Sequence, residues 1–236
     1  MGVDFISLLR DGDIAEVEEL IPWSSNVTLL IRVARNGNET RAIYKPRRGE
    51  RQLWDFPDGT LHLREAAAYL VSQALGWELV PPTIVRDGPY GVGAVQLFIP
   101  HDPEVHYFTF GEKMLPEMKR IALFDLVVNN ADRKAGHCLL APDGHVWVID
   151  HGICFHAQPK LRTVIWEFAG QPIPPLLLKD LQYLSGQLNG ETMPGGLAEL
   201  LSPAEIEALA RRIDALLRAG VYPSPGPGDR YPWPPV

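Results

Sequence analysis

Two apolar runs in this chain lead to aspartates, and those two acids constrain the fold more than any other feature of the sequence. The run in "FDLVVNNADRK" leads to Asp132, the run in "HVWVIDHG" leads to Asp150, and Pro142, Asp143 and Gly144 mark a turn between them. A carboxylate at the end of a core segment is costly to desolvate unless it finds a partner, so each must be met by a cation, a metal or a set of hydrogen-bond donors. The turn predicts a hairpin of 138–141 and 145–149 between them.

Around this segment the pattern changes once. Residues 15–21, 27–34 and 41–44 read as strands, with Arg35-Asn36-Gly37-Asn38 a hairpin turn. Residues 61–75 read as a helix, with apolar positions at Leu63, Ala67, Leu70, Ala74 and Leu75 and a stop at Gly76. Two further strands are expected at 80–85 and 93–99, about a turn at Asp87-Gly88-Pro89. From there the pattern is helical: 115–129 begins with Pro116, and beyond Trp166 a capping box at Ser202 to Glu205 opens an apolar stripe ending near Gly220. That last helix reads as structural. Residues 223–236 are rich in Pro and Gly and should be extended, with Trp233 and the tyrosines favouring packing on the domain.

A chain of 236 residues with 46% hydrophobic content is long enough for one large domain or two small lobes. Its net charge of −7 argues against a general nucleic-acid-binding surface. Cys138 and Cys154 are the only cysteines, no charged and apolar leader opens the sequence, and no apolar run approaches the roughly 18 residues of a bilayer span. The expectation is a cytoplasmic, reduced protein with both cysteines in the core. No Walker sequence, no Gly-x-Ser-x-Gly and no His-x-x-x-His zinc pattern is present.

A strand-rich first part with one inserted helix, followed by a helical part carrying a hairpin between two acids, resembles the α+β, two-lobed protein-kinase-like fold. The likeness is closest to the phosphatidylinositol 3- and 4-kinases and to small bacterial proteins related to them. Asp132-Arg133 is similar to the catalytic-loop pair of that family. Asp150-His151-Gly152, eighteen positions on (132 to 150), is similar to its metal-binding Asp-Phe-Gly. Upstream, Lys45 in "RAIYKP" resembles the lysine that reaches the nucleotide phosphates, and Glu65 in "LREAAAYLVSQALG" the helix glutamate that pairs with it.

This resemblance implies an antiparallel-sheet N-lobe of residues 1–99, a mainly helical C-lobe of 100–222 and a tail of 223–236. ATP, with Mg²⁺ or Mn²⁺, is then expected between the lobes, with a hydroxyl-bearing acceptor that is a protein, a small molecule or a lipid. In that scheme Lys45 and Glu65 position phosphates, Asp132 orients the acceptor, Asp150 holds the metal and Arg133 adds positive charge. The hinge falls near Phe98 and Ile99, whose backbone would meet adenine. Asn129 and Asn130 are expected to tie down the loop backbone.

Two departures from the family pattern stand out. The first strand connection, "IPWSSN", has no glycine, so Ser24, Ser25 and Asn26 take over as candidate phosphate donors. His137 stands where the family has a metal-binding asparagine. An imidazole ligand favours Mn²⁺ over Mg²⁺, and metal binding should weaken as the pH falls through the usual histidine range near about 6.5. The same residues also suit a nucleotide-binding pseudokinase, or transfer of AMP in place of phosphate.

Overall fold

In the computed structural model, which describes residues 3–21, 26–190 and 193–236, the first strands fold as their turn chemistry dictates. Strands β1 (Asp13–Leu20), β2 (Leu29–Arg35) and β3 (Asn38–Pro46) run antiparallel. Asn36 and Gly37 take φ of 51° and 78° in the β2–β3 turn. A two-residue hairpin of this hand needs positive φ at both positions, which Asn and Gly tolerate best. Helix α2 (Leu61–Ala74) follows β3, and β4 (Thr83–Gly88) and β5 (Gly91–Leu97) complete a five-stranded sheet in the order β1-β2-β3-β5-β4. The strand expected at 80–85 starts later because Pro81 and Pro82 have no N–H to give a ladder.

The alternation of β3 sends Ala42 and Tyr44 to one face of the sheet, where they are fully buried with Ile31, Val33 and Val95. Helix α1 (Phe5–Asp11) closes that face through Leu8 and Leu9. This helix was not expected from the sequence. Its seven residues are too few for a periodic stripe, and its one local signal is Asp4, whose carboxylate accepts from the Ser7 amide at 3.1 Å. Lys45, one residue on from Tyr44, is carried by the same alternation to the opposite face.

The helical lobe holds α3 (Leu115–Val128), the hairpin of β6 (Cys138–Leu140) and β7 (Val146–Val148), α4 (Pro175–Asn189), the short α5 (Leu197–Leu200) and α6 (Pro203–Ala219). The α6 stripe is buried as its spacing predicts: Leu209 and Ile213 are fully enclosed, each worth about 1.5–3 kcal/mol of burial. Glu205 closes the capping box on the Ser202 amide at 2.9 Å. Both cysteines are free and buried. Burial pushes the Cys138 thiol up to about 12, as expected of a core thiol and not of a nucleophile.

Helix α2 follows the sheet lobe's third strand yet packs into the helical lobe's core. Ala67, Ala68 and Val71 share one apolar cluster with Leu123, Phe124 and Val127. Its first turn has no side-chain cap from Thr60; instead the Glu50 carboxylate accepts from the Leu61 and His62 amides at 3.2 and 2.8 Å. One turn in, buried Arg64 pairs with Glu205 of α6 at 2.5 Å and donates to the Cys154 carbonyl at 2.8 Å. The pair pins α2 to the last helix of the chain. Removing either partner strands a buried charge, so Arg64→Met or Glu205→Leu should each cost about 3–5 kcal/mol, and the double replacement much less. Denaturant unfolding of the three variants measures it; equal and additive losses would mean that the two side chains do not act as a pair.

Candidate functional site

From the free face of β3 the Lys45 ammonium meets two carboxylates: Glu65 of α2 at 2.5 Å and Asp150 at 2.9 Å. Burial alone would pull this lysine down. The charges of Asp150 and Glu65 outweigh it and hold the ammonium firmly protonated, above its ordinary value. Glu65 is itself fixed from the other side, because its Oε2 accepts from the His151 backbone N–H at 3.0 Å. The helix glutamate, the strand lysine and the segment after β7 therefore form one connected unit across the two lobes.

Asp150 sits at φ 63°, a left-handed conformation uncommon for a residue with a side chain and one that turns up at functional sites. Lys45 is the main cause that holds its carboxyl well below the usual range, against the opposing effect of burial. His137 stands on its other flank, with Nε2 3.4 Å from Oδ2. Burial takes this imidazole down to about 4, with Asp150 opposing and Arg133, Lys134 and Lys45 reinforcing. That corrects the sequence expectation of acid sensitivity in the usual histidine range: His137 stays neutral to a much lower pH, because the cleft wall desolvates it.

Asp132 lies on the far side of the same opening, with Lys134 Nζ 3.7 Å from its carboxylate. Desolvation raises it to about 6; Lys134 opposes the rise and Asp150 adds to it. Of the two asparagines expected to tie down this loop, Asn130 holds the Asp132 backbone and Asn129 holds the 156–160 segment. Asn130 Oδ1 accepts from the Asp132 N–H at 2.9 Å, and Asn129, at φ 55° where α3 ends, donates to the His156 and Gln158 carbonyls.

Arg133 is placed otherwise than the sequence suggested. Its guanidinium is fully buried and turned away from the opening, closing on the equally buried Asp125 of α3 at 3.0 Å. It also donates to the Ile149 carbonyl at 2.9 Å and, across 2.8 Å, to His151 Nε2. That bond leaves the His151 proton on Nδ1, which has no partner among the described residues. Burial would lower Arg133, but Asp125 keeps it fully charged. Its charge is thus neutralised by Asp125 and is not presented to a ligand. The signal for this lay in Asp125, a carboxylate in the middle of an apolar helical run.

The remaining candidates divide. Ser24 and Ser25 lie outside the described residues. Asn26 is described, and its Oδ1 accepts from the Arg51 N–H at 2.7 Å, which ties it to the chain beyond β3. At the expected hinge, Phe98 N–H donates to the Arg41 carbonyl and the Ile99 carbonyl meets the His101 ring at 2.8 Å. The Phe98 carbonyl and the Ile99 N–H are left without a protein partner among the described residues. Ile99 packs with Leu139, Ala141 and Trp147, so this stretch bridges sheet and hairpin.

The tail reaches the same loop. The Pro235 carbonyl accepts from the Ala135 N–H at 2.8 Å, three residues beyond Asp132, and the Arg230 carbonyl accepts from Thr163 at 3.1 Å. Backbone bonds hold it, whereas Trp233 and Tyr231, expected to anchor it by packing, are exposed.

Comparison with known proteins gives these features a context. Residues 64–200 match the family profile described as Phosphatidylinositol 3- and 4-kinase. Protein Rv2133c of Mycobacterium tuberculosis is 39% identical over 97% of this chain and 94% of its own length. Phosphatidylinositol 4-kinase gamma 4 of Oryza sativa subsp. japonica is 31% identical over 55% of this chain and 26% of that protein. A solved structure, that of the Helicobacter pylori proinflammatory kinase CtkA, superposes with a TM-score of 0.51 over 91% of this chain and 94% of that one. At 12% identity this is a likeness of fold. The profile match includes Glu65, Asp132, His137 and Asp150; Lys45 precedes it and joins them through the ion pairs above.

The tail contact can be checked directly. Ending the chain after Arg230 keeps the Thr163 bond and removes the Ala135 bond. Amide exchange at Ala135 should then accelerate at least tenfold while Thr163 stays protected. Unchanged protection at Ala135 would mean that the tail does not hold this loop in solution.

Proposed function

This chain belongs to the phosphatidylinositol 3- and 4-kinase family, and from that premise we propose that it transfers the γ-phosphoryl group of ATP to a hydroxyl acceptor. The N-lobe is residues 1–99, the C-lobe 100–222 and the tail 223–236. The observation that carries the reading is the placement of Lys45 within 2.9 Å of both Glu65 and Asp150. A half-buried ammonium held by two anions from different lobes is suited to receive phosphate oxygens, and Glu65, anchored by the His151 amide, keeps it in place.

Adenine is met by the Phe98 carbonyl and the Ile99 N–H, which have no other partner among the described residues. Asp150 and His137 hold a divalent cation, whose contribution is to neutralise the charge on the phosphates. No group of three or more His, Cys, Asp or Glu able to hold a metal exists among the described residues. One carboxylate and one imidazole suit an ion that completes its shell with phosphate oxygens, and the nitrogen donor favours Mn²⁺ over Mg²⁺. Asp132 accepts the hydroxyl proton as the new O–P bond forms and the bridging O–P bond of ATP breaks to release ADP. Its raised proton affinity supports that role, since a base works best when its pKa approaches the operating pH. The acceptor carries a hydroxyl on a protein, a small molecule or a lipid. No described helix is long and apolar enough to cross a membrane.

ATP labelled separately at the α and γ positions tests the chemistry. Transfer of γ label is expected, better with Mn²⁺ than with Mg²⁺. Transfer of α label would mark an AMP transferase, and no transfer at all a nucleotide-binding pseudokinase. The acids should fail differently: Asp150→Asn weakens metal-nucleotide binding, whereas Asp132→Asn lowers kcat about 10²–10⁴-fold with nucleotide affinity kept. Loss of affinity in both would refute the division of roles.

The pH dependence follows from Asp132 alone. It must be unprotonated to accept a proton, so kcat/KM should fall about tenfold per pH unit below about 6. His137, neutral down to about 4, adds no second limb in that window. A profile that is flat between pH 5 and 7 would remove Asp132 from the proton transfer.

A further inference from the structure

A cavity of about 520 Å³ lies outside this cleft, between the end of β3, the 50–60 loop and the turn joining β4 to β5. Arg47, Arg48 and Arg51 line it. None of the three has an ion-pair partner among the described residues, although the chain as a whole carries a net charge of −7. Two carboxylates also line the cavity, and both are engaged. Glu50 accepts from the first amides of α2 and from the His62 ring at 2.6 Å, and Asp58 accepts from Gln52 at 3.2 Å. Three guanidinium groups within five positions repel one another, and the two carboxylates of the lining leave an excess of positive charge there.

Gly59 has φ +69°, a conformation that favours glycine, and the Arg47 guanidinium lies against it, with Nε 2.4 Å from where a Cβ would stand. The lining also includes apolar and aromatic side chains, those of Phe56, Leu61 and Tyr90. We propose that this cavity is a second site, separate from the nucleotide cleft, which binds a phosphate ester carried on an apolar or ring-shaped body. Guanidinium groups match phosphate oxygens in charge and in paired N–H geometry, and the apolar wall receives the rest of the ligand. The site adjoins the cleft through Leu61, one helical turn before Glu65. A Cβ on Gly152, two residues past Asp150, would lie 3.5 Å from both Leu61 and Glu65. Occupancy therefore bears on the first turn of α2, the element that holds Glu65.

Binding is measured on the full chain without nucleotide or metal, with two probes. Phenyl phosphate in titration calorimetry represents a soluble ester; vesicles of phosphatidylcholine with and without phosphatidic acid represent a lipid headgroup. At least one probe should bind, weaken with added salt, and lose tenfold or more in affinity in Arg47→Gln/Arg51→Gln. The single change Arg48→Glu, at an exposed residue, should do the same without disturbing the fold. Binding of phenyl phosphate alone identifies a soluble source, and of phosphatidic acid vesicles alone a lipid source. Lys45→Met should leave this binding intact while abolishing nucleotide binding, which separates failure of the second site from failure of the kinase reading. Failure of both probes to bind, full retention in the arginine variants, or loss in Lys45→Met would overturn the proposal.

Discussion

The buried pairing of Arg133 with Asp125 is the interaction on which the cleft depends. Three candidate residues lie next to atoms that this guanidinium touches or to its own backbone: Asp132 precedes it, and Asp150 is flanked by the Ile149 carbonyl and the His151 ring that it holds. The longer 3.4 Å contact to the His137 carbonyl brings in the third. An ion pair with both members at zero exposure is expensive to desolvate, and by itself it is weak evidence of stability. What the pair gives is registration. The loop that leaves α3 and the segment that leaves β7 are fastened to one planar group, so the two acids keep their spacing without touching each other.

From that hub the connections run outward in a fixed order. Arg133 holds His151 by its ring, and the His151 amide holds Glu65. Glu65 holds Lys45, which returns to Asp150. The loop closes on itself through both lobes. A ligand that draws Lys45 away therefore pulls against Glu65 and, through it, against the backbone beside Asp150.

Much of this was legible in the sequence, for identifiable reasons. Asp132, Asp150, Lys45 and Glu65 stand out because each is a charge set at the end of an apolar run or on an Ala-rich helix, in an order that the family shares. The β2–β3 hairpin was legible because Asn36 and Gly37 accept positive φ. Arg133 was misplaced because an arginine followed by a lysine looks like a solvated pair. Its inward turn depends on Asp125, eight positions earlier, and on the way α3 presents it. Asn26 was similarly out of reach, since its tie to the Arg51 amide joins two loops that only the folded sheet brings together. The three arginines of the second cavity went unremarked for a related reason: an exposed cation declares itself only when the fold is seen to give it no ion-pair partner among the described residues.

The Arg64–Glu205 pair has a further consequence, for the order in which the protein can be made. The two residues are separated by about 140 positions, which at ~5–20 residues per second puts on the order of ten seconds or more of synthesis between them. The sheet can form early, because α1 and the first hairpins bury their own apolar cluster. Helix α2 can rest on β4 and β5 by then, but its arginine has no anion, and Leu123, Phe124 and Val127, which share its apolar cluster, have yet to emerge from the ribosome. Glu65 rides on that helix. A nascent chain therefore carries its lysine and glutamate for most of its synthesis before the Arg64–Glu205 pair that pins α2 to the last helix can form.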